Sequence, residues 1–201
     1  WNYNEIDFKS GYKGKILGNL KNINYETKNV DLYKEETTSE LFGALGYLTE
    51  IDLIKKIGNA SHLFKPKILF RYSPGSMRKE ESGSKLDPIS AFSIDRLNNI
   101  NNFETGFTST VGFDYKIEKS NKNFDFSVAQ IISDKENKKM HTKTSMDEKL
   151  SDLVGSTDYK INDNLNLKYN FSVDQNYNDL NYSEAGVALN FDSLKIDFNY
   201  L

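Results

Sequence analysis

The stretch NLNLKYNFSVD, residues 164–174, decides the fold class of this sequence. Five apolar residues alternate in it with five polar residues, without a break. The apolar set is Leu165, Leu167, Tyr169, Phe171 and Val173, and the polar set is Asn166, Lys168, Asn170, Ser172 and Asp174. Because successive side chains of a β-strand point to opposite faces, we predict a strand with one apolar and one polar face. The apolar face would lie against a protein core in a soluble sandwich, or against lipid in a membrane barrel.

The same alternation runs through much of the remaining sequence. Residues 111–118 alternate in this way, and the polar link KSNK (119–122) then leads to a second alternating run at 124–129, which predicts a hairpin. Further strands are predicted over the ranges 3–9, 12–25 (with a bend near Gly18), 41–54, 62–73, 151–161, 182–191 and 194–201. In all there are about eleven strand candidates, many of about 8–12 residues. Strands that cross a membrane need about 9–11 residues, whereas strands of soluble proteins peak at about 5–6. The fold class that we predict is therefore all-β, an antiparallel transmembrane β-barrel.

The connections between these strands fall into two kinds. The links KSNK, NDN (162–164) and Asp192-Ser193 are short, while 74–88 and 132–150 are long, polar and charged. Short turns at one end and long loops at the other are typical of outer-membrane barrels. The prolines Pro66, Pro74 and Pro88 are expected at or near strand ends, because proline cannot donate to a strand ladder.

Alternation fails in the stretch that begins LDPISAFSIDR (86–96), which is expected to be an inserted loop or a short irregular strand. The neighbouring Asp95 and Arg96 are its candidate structural pair, since an Asp-Arg pair in such a place usually fixes a loop or a lumen salt bridge. Glycines inside the strand candidates are expected to mark bends, bulges or tight packing. These glycines are Gly43, Gly46, Gly106 and Gly112.

Composition excludes several classes of protein. No run approaches the roughly 20 apolar residues of a membrane-spanning helix. The net charge is −3 with both signs well mixed, which argues against a nucleic-acid binder. The absence of cysteine removes disulfides and thiolate metal sites. The first residues, WNYNEIDF, lack the regions of a signal peptide, so the chain stays in the cytoplasm or is a mature piece of something longer.

No pattern of catalytic or metal-binding residues is visible in the sequence. The two histidines, His62 and His141, lie far apart and have no local hydrolase motif, so both are expected to be solvated surface residues. The mixed-charge clusters at 34–36, 79–82 and 133–139 lack the spacing of a calcium loop and are expected to be solvated. We predict no catalytic residue, no metal and no cofactor.

Several segments, in order, resemble the C-terminal barrel region of the LptD (OstA) family of lipopolysaccharide-assembly proteins. They are ELFGALGYL (40–48), LFKPKILFRYSPGSMRKE (63–80), LDPISAFSIDR (86–96), FETGFTSTVGFDYK (103–116) and KLSDLVGSTDYKINDNLNLKYNFSVD (149–174). In the last, a Ser-Asp-Leu-Val-Gly strand meets an Asn-Asp-Asn turn and a Leu-x-Leu-x-Tyr-x-Phe strand, a recurrent family pattern. The Asn-, Lys- and Tyr-rich style is similar to alphaproteobacterial members.

The resemblance implies an outer-membrane protein that inserts lipopolysaccharide into the outer leaflet. It implies lipopolysaccharide, an LptE-like lipoprotein plug and periplasmic bridge proteins as partners. It also implies that residues 1–201 are part of one larger barrel domain and that the protein is not an enzyme. On this hypothesis the apolar set of 164–174 faces lipid and the polar set faces the lumen.

Three alternatives remain at this point. A porin-like diffusion channel would share the strand pattern and would conduct ions. An outer-membrane lipid hydrolase would need one of the histidines beside a nucleophilic serine. A soluble β-sandwich binding module would be monodisperse without detergent.

Overall fold

The computed structural model describes residues 6–7, 11–29, 31, 36–80, 83, 85–191 and 194–201. These residues form eleven β-strands and two short helical segments. The strands are β1 (Ile6–Asp7), β2 (Tyr12–Thr27), β3 (Glu36–Ile51), β4 (Leu53–Ile57), β5 (Ala60–Ser73), β6 (Gly106–Lys119), β7 (Lys122–Ser133), β8 (Leu153–Lys160), β9 (Leu165–Val173), β10 (Leu180–Phe191) and β11 (Leu194–Tyr200). The helical segments are α1 (Pro88–Ala91) and a 3₁₀ turn at Lys143–Ser145. Neither segment is long or apolar enough to span a membrane, and the described residues contain no other helix.

All strands belong to one antiparallel sheet in which consecutive strands pair, except that β3 pairs with β5 and not with β4. The order is β1-β2-β3-β5-β6-β7-β8-β9-β10-β11, with β4 also paired to β5. The outermost strands, β1 and β11, do not pair with each other in the described part of the chain, so the sheet is open. The prediction of an all-β antiparallel fold is confirmed.

The strand bounds differ from the predicted ones at informative places. The predicted strand 41–54 becomes β3 and β4, which pair with β5 in one register, from Glu50 opposite Lys67 to Leu53 opposite Phe64. The ladder breaks opposite Pro66, which has no N–H to donate. The expectation that all prolines lie near strand ends is therefore wrong for Pro66, in the middle of β5.

Other bounds are closer to expectation. β2 runs as one strand through Gly18 with an unbroken register to β3, so the ladder is not interrupted at the expected bend. Of the predicted strand 3–9, only Ile6–Asp7 is described, as β1. The predicted turn at Asp192-Ser193 lies outside the described residues.

The two kinds of connection lie at opposite ends of the sheet. Residues 58–59, 120–121 and 161–164 connect strands at one end, which we call the short-turn end. Residues 74–105, 134–152 and 174–179 connect strands at the other end, which we call the long-loop end. The predicted alternation of short and long connections is confirmed, and every hairpin keeps its register over the full ladder from β5 to β8.

The two faces of the sheet differ sharply. One face, called here the apolar face, carries large apolar side chains that are exposed. They include Ile16, Leu20, Leu41, Leu45, Phe64, Ile68, Phe70, Tyr72, Phe107, Val111, Ile132, Tyr169 and Phe198. The opposite face, called the covered face, carries the buried strand residues. They include Leu17, Phe42, Ala44, Leu69, Arg71, Thr108, Thr110, Ala129, Ile131 and Val154.

The core lies between the covered face and the two long connections, 74–105 and 134–152, which we call the loop layer. Its larger cluster joins apolar residues of both loops to strands β7 and β8. The members are Met77, Leu86, Ala91, Leu97, Ala129, Ile131, Met140, Met146 and Val154. The loops are therefore held by buried apolar surface, which is the main stabilising contribution available to segments without a ladder of their own.

The irregular stretch after residue 86 is a loop that contains a helical turn, not a strand. Asp87 caps α1 by accepting from the N–H groups of Ile89 and Ser90, and the Ser90 hydroxyl accepts from the Asp87 N–H in return. Pro88 occupies the first helical position, where a missing N–H costs nothing. Asp-Pro-x-Ser is thus a reciprocal capping box that begins a helical turn here.

Candidate functional site

The stretch 164–174 lies in the sheet as β9 and the turn that follows it. Its apolar residues lie on the apolar face, with Leu167 opposite both Tyr159 and Val187. Its polar strand residues lie on the covered face and bind neighbours there. Asn166 Nδ2 donates to Asp158 at 3.1 Å, and Ser172 Oγ donates to Asp152 at 2.7 Å.

The remaining polar members of the set also have definite places. Asn170 Nδ2 donates to Glu184 at 3.5 Å, and Lys168 lies between Asp158 and Gly186 in the register. Asp174 lies just past β9, where its carboxylate accepts from the N–H groups of the turn 176–179. These bonds lower the pKa of Asp174.

Asp95 and Arg96 form ion pairs with two different residues and not with each other. Asp95 binds Lys21 of β2 at 2.8 Å, and the same ammonium group donates to the backbone oxygen of Asn99. Arg96 binds Glu104 at 3.0 Å. Asp95 therefore ties the loop 74–105 to β2, whereas the Arg96–Glu104 pair lies within that loop and Arg96 reaches β6 by donating to the Thr108 hydroxyl.

Two buried arginines share one carboxylate at the base of the first loop. Arg71 of β5 donates to the backbone oxygens of Ile94 at 2.8 Å and Glu104 at 2.7 Å, and its guanidinium lies 3.8 Å from the Glu104 carboxylate. Arg96 binds the other carboxylate oxygen. Burial, together with the nearby positive charge of Arg71, lowers the pKa of Arg96 to about 10, while Glu104 opposes that shift. Glu104 is thus the counter-charge that permits two cations to be buried together.

A buried aromatic ring joins this group to β2. Phe103 is fully buried, and its ring lies 5.2 Å from the Lys21 ammonium and 5.3 Å from the Arg71 guanidinium. Cations near an aromatic face are attracted to its negative quadrupole. Phe103 therefore holds the loop against two strands at once.

The second loop is held by a different buried carboxylate. Asp152 is fully buried, and it accepts from Ser145 Oγ at 2.6 Å, Ser172 Oγ at 2.7 Å and Asn181 Nδ2 at 2.9 Å. Ser151 accepts from the Ile131 N–H at 2.9 Å. The Ser-Asp pair of the SDLVG segment is therefore the point where the loop, β9 and the start of β10 meet. The SDLVG segment is recognisable from the sequence, but this role of its Ser-Asp pair is not.

The two loops also bind each other. The Leu86 N–H donates to Thr144 Oγ1 at 3.3 Å, Lys143 Nζ donates to the Gly83 oxygen at 3.4 Å, and the Glu80 N–H donates to the Lys139 oxygen at 2.7 Å. The loop layer is consequently one unit rather than two independent loops.

The expectation that His141 is solvated is wrong. His141 is only 7% exposed, because the charged loop folds back and its imidazole packs on Gly83 so closely that a side chain there would overlap the ring. Burial lowers the pKa of His141. His62 is half-buried on the apolar face and lies 2.8 Å from the Tyr115 hydroxyl. The expectation of a solvated mixed-charge cluster at 79–82 also fails at Glu80, which is buried against Asn99 and Asn102.

At two strand glycines, the absence of a side chain lets residues of the loop layer pack against the sheet. A Cβ at Gly46 would lie 2.8 Å from Ile94 Cδ1, and one at Gly112 would overlap the Val128 oxygen of β7 and lie 3.1 Å from the Phe92 ring. The missing side chains leave room for Ile94 and Phe92 to reach the sheet. Tight packing, one of the roles predicted for these glycines, is confirmed at both positions.

Towards the short-turn end, the covered face carries opposite charges in pairs. Lys13 and Lys65 flank Asp52 at 3.1 and 3.2 Å, and Lys67 binds Asp114 at 2.8 Å. Lys116 and Asp125 form a further pair at 3.0 Å. This half of the face is polar and nearly neutral. Within the described ranges, no group of three or more histidine or acidic side chains is placed to hold a metal ion.

The fold and its site define a class of protein. In this class, an antiparallel β-meander exposes one apolar face of its sheet, and long connections cover the opposite, polar face at one end. The family model for LptD, described as LPS transport system D, matches residues 46–201. The chain therefore belongs to the LptD family, whose role is in lipopolysaccharide transport. The match extends from within β3 to the end of β11 and includes the whole loop layer. A comparison with curated proteins gave no match.

Proposed function

We propose that this chain forms part of the wall of an outer-membrane β-barrel that delivers lipopolysaccharide to the outer leaflet. The observation that carries the proposal is the division of one sheet, from a chain of the LptD family, into an exposed apolar face and an ion-paired covered face. Family membership indicates that the transported molecule is lipopolysaccharide, and the two faces offer separate environments for its polar and apolar parts.

Lipid on the apolar face accounts for an otherwise costly surface. β2 and β3 have 16 residues each and β5 and β6 have 14, which exceeds the roughly 9–11 residues needed to cross a bilayer. In water, so large an exposed apolar area would promote aggregation. In lipid it is favourable, since the ladders satisfy the backbone groups within the sheet.

The covered face suits the polar part of a lipopolysaccharide. Phosphorylated sugars are costly to place in hydrocarbon, whereas acyl chains favour it. A wall with both environments, one on each face, lets the two parts of one molecule travel in different phases. On this proposal Leu165, Leu167, Tyr169, Phe171 and Val173 contact lipid, and the polar set of the same stretch borders the lumen.

The loop layer argues against a general diffusion channel. It fills the covered face at the long-loop end with buried apolar residues and buried ion pairs. A porin needs open water along the whole path. A layer held by Asp152 and Glu104 would instead keep small solutes out while the wall handles lipid.

Partners follow from the proposed role. Lipopolysaccharide must arrive from a periplasmic bridge, and a lipoprotein of the LptE type would occupy the lumen. The covered face towards the short-turn end, with its paired charges, is the part of this chain open to such contacts.

Reconstitution tests the proposal. Proteoliposomes that contain the chain are supplied with labelled lipopolysaccharide by bridge proteins, and transfer is measured beside ion conductance. We expect transfer that depends on the chain, without steady conductance. Steady conductance without transfer would favour the diffusion channel and contradict the proposal.

A further inference from the structure

Strand β4 has a backbone edge that no described strand occupies. On one side β4 pairs with β5, from Leu53 opposite Phe64 to Ile57 opposite Ala60. On the other side, the pairing of β2 ends at Tyr12 opposite Ile51. Gly11 accepts a last bond from the Asp52 N–H, and β1 pairs with Lys13 and Gly14 on the side of β2 away from β3. Among the described residues, the margin of the sheet therefore steps back beside β4.

The turn geometry shows which backbone groups point to this edge. Gly58 and Asn59 form a two-residue connection, and Gly58 has a φ of +59°, as a tight hairpin turn requires. The residue pair next to such a turn is hydrogen-bonded, and bonded pairs alternate along an antiparallel ladder. Ile57 and Lys55 thus bond to β5, while the N–H and C=O groups of Ile54 and Lys56 face outward.

The side chains of β4 make this edge both apolar and basic. All five residues are exposed, with Leu53, Ile54 and Ile57 each more than half exposed. Lys55 and Lys56 point to opposite faces, and neither has an ion pair within the described residues. Lysines on an edge strand discourage pairing with neutral apolar strands. The same lysines would attract a strand that carries acidic residues on both faces.

We propose that the β4 edge binds an extended acidic segment of another protein by strand addition. In this mode, main-chain bonds supply affinity and side chains supply selectivity. The backbone groups of Ile54 and Lys56 receive the added strand, and Lys55 and Lys56 select its charge. The edge lies at the short-turn end, away from the loop layer, so the inference does not depend on the proposed transport of lipopolysaccharide.

A pair of synthetic peptides tests the binding. One is a valine-rich peptide of the length of β4 with two adjacent glutamates at its centre, which places one carboxylate on each face, and the other has lysine in place of glutamate. Both are titrated against the full chain in neutral detergent micelles, and amide hydrogen exchange is measured residue by residue. We expect the acidic peptide to protect the amides of Ile54 and Lys56, and the basic peptide to bind about tenfold more weakly.

Two substitutions separate the backbone from the charge. Lys56→Pro removes an N–H that faces the edge but none that bonds to β5, so it should abolish binding. Lys56→Ala removes only the charge and should weaken binding about threefold. Unchanged protection of Lys55 and Ile57 confirms that the hairpin is intact. Lys119→Ala at the β6–β7 hairpin is the matched control and should bind like the unaltered chain.

Several results would overturn the inference. Equal binding of the two peptides, or full binding by Lys56→Pro, would show that the edge does not accept a strand. Self-association of the chain that Lys56→Pro abolishes would show that the occupant is a second copy. Binding to anionic vesicles that Lys55→Ala and Lys56→Ala both weaken, and that Lys56→Pro weakens no more than Lys56→Ala does, would identify a lipid surface instead.

Discussion

The Ser172 hydroxyl donates to the buried Asp152 carboxylate at 2.7 Å, and this bond joins the end of the loop layer to β9. Asp152 also holds Ser145 in the loop and Asn181 at the start of β10. One side chain thus fixes the relative positions of three segments, and its removal should loosen the layer without altering the ladders.

Asp152→Ala should destabilise the fold by roughly 3 kcal/mol, because it leaves the buried Ser172 hydroxyl and the partly buried Ser145 hydroxyl without an acceptor and removes the bond to Asn181. Ser172→Ala removes a single bond and should cost about 1 kcal/mol. The measurement is urea unfolding in detergent, followed by the loss of heat-modifiable gel mobility. Equal stability of Asp152→Ala and the unaltered chain would contradict a holding role for Asp152.

Glu104→Gln should cost about 3–5 kcal/mol, because it leaves Arg71 and Arg96 buried without a counter-charge. Adding Arg96→Met to Glu104→Gln should recover part of the loss, since one uncompensated cation is gone. Unfolding of both variants under the same conditions tests this. A double variant less stable than Glu104→Gln alone would show that Arg96 stabilises the loop by packing rather than by its charge.

Acid should loosen the contact between the two loops through His141. Its pKa is lowered by burial, with Glu80 and Asp147 opposing the shift and Lys143 adding to it. The unfolded chain then binds a proton more readily than the folded chain, so stability should fall as the pH drops below the ordinary value of 6.5 towards the lowered pKa.

Amide exchange of residues 139–145 between pH 7.5 and 5 measures this effect. His141→Gln removes the titrating group and should flatten the pH dependence, while His62→Gln serves as the control and should leave it unchanged. A pH dependence that survives His141→Gln would assign the effect to another group.

The two faces of β9 should respond oppositely to charge. Leu167→Arg places a cation on the apolar face and should cost roughly 2–4 kcal/mol near the middle of a bilayer. Lys168→Leu changes the neighbouring residue on the covered face and should be tolerated. Folding into liposomes, followed by gel mobility, compares them. Tolerance of Leu167→Arg together with failure of Lys168→Leu would reverse the assignment of the faces.

The strands were predictable because their signal is local. A period of two in hydrophobicity follows from the strand geometry itself, and it located nearly every strand from β2 to β11. The helical turn α1 was also encoded locally, in the capping box Asp87-Pro88-Ile89-Ser90, which the sequence analysis did not use.

The loop layer was not predictable in the same way. Its bonds join residues far apart in the chain, such as Lys21 with Asp95 and Leu86 with Thr144. Charged loops rich in lysine and glutamate have the composition of solvated segments. The burial of Glu80 and His141 depends on anchors, Met77 and Met140 among them, that no local pattern reveals.

Site-specific photocrosslinking in growing Gram-negative cells tests the central claim most directly. A photoreactive residue is placed at position 167 on the apolar face and, in a matched variant, at position 168 on the covered face. We predict that position 168 crosslinks to the sugar part of lipopolysaccharide and that this product disappears when the periplasmic supply is stopped. Position 167 should crosslink to membrane lipid regardless of supply. Sugar crosslinks from neither position, with lipid crosslinks from both, would contradict the account.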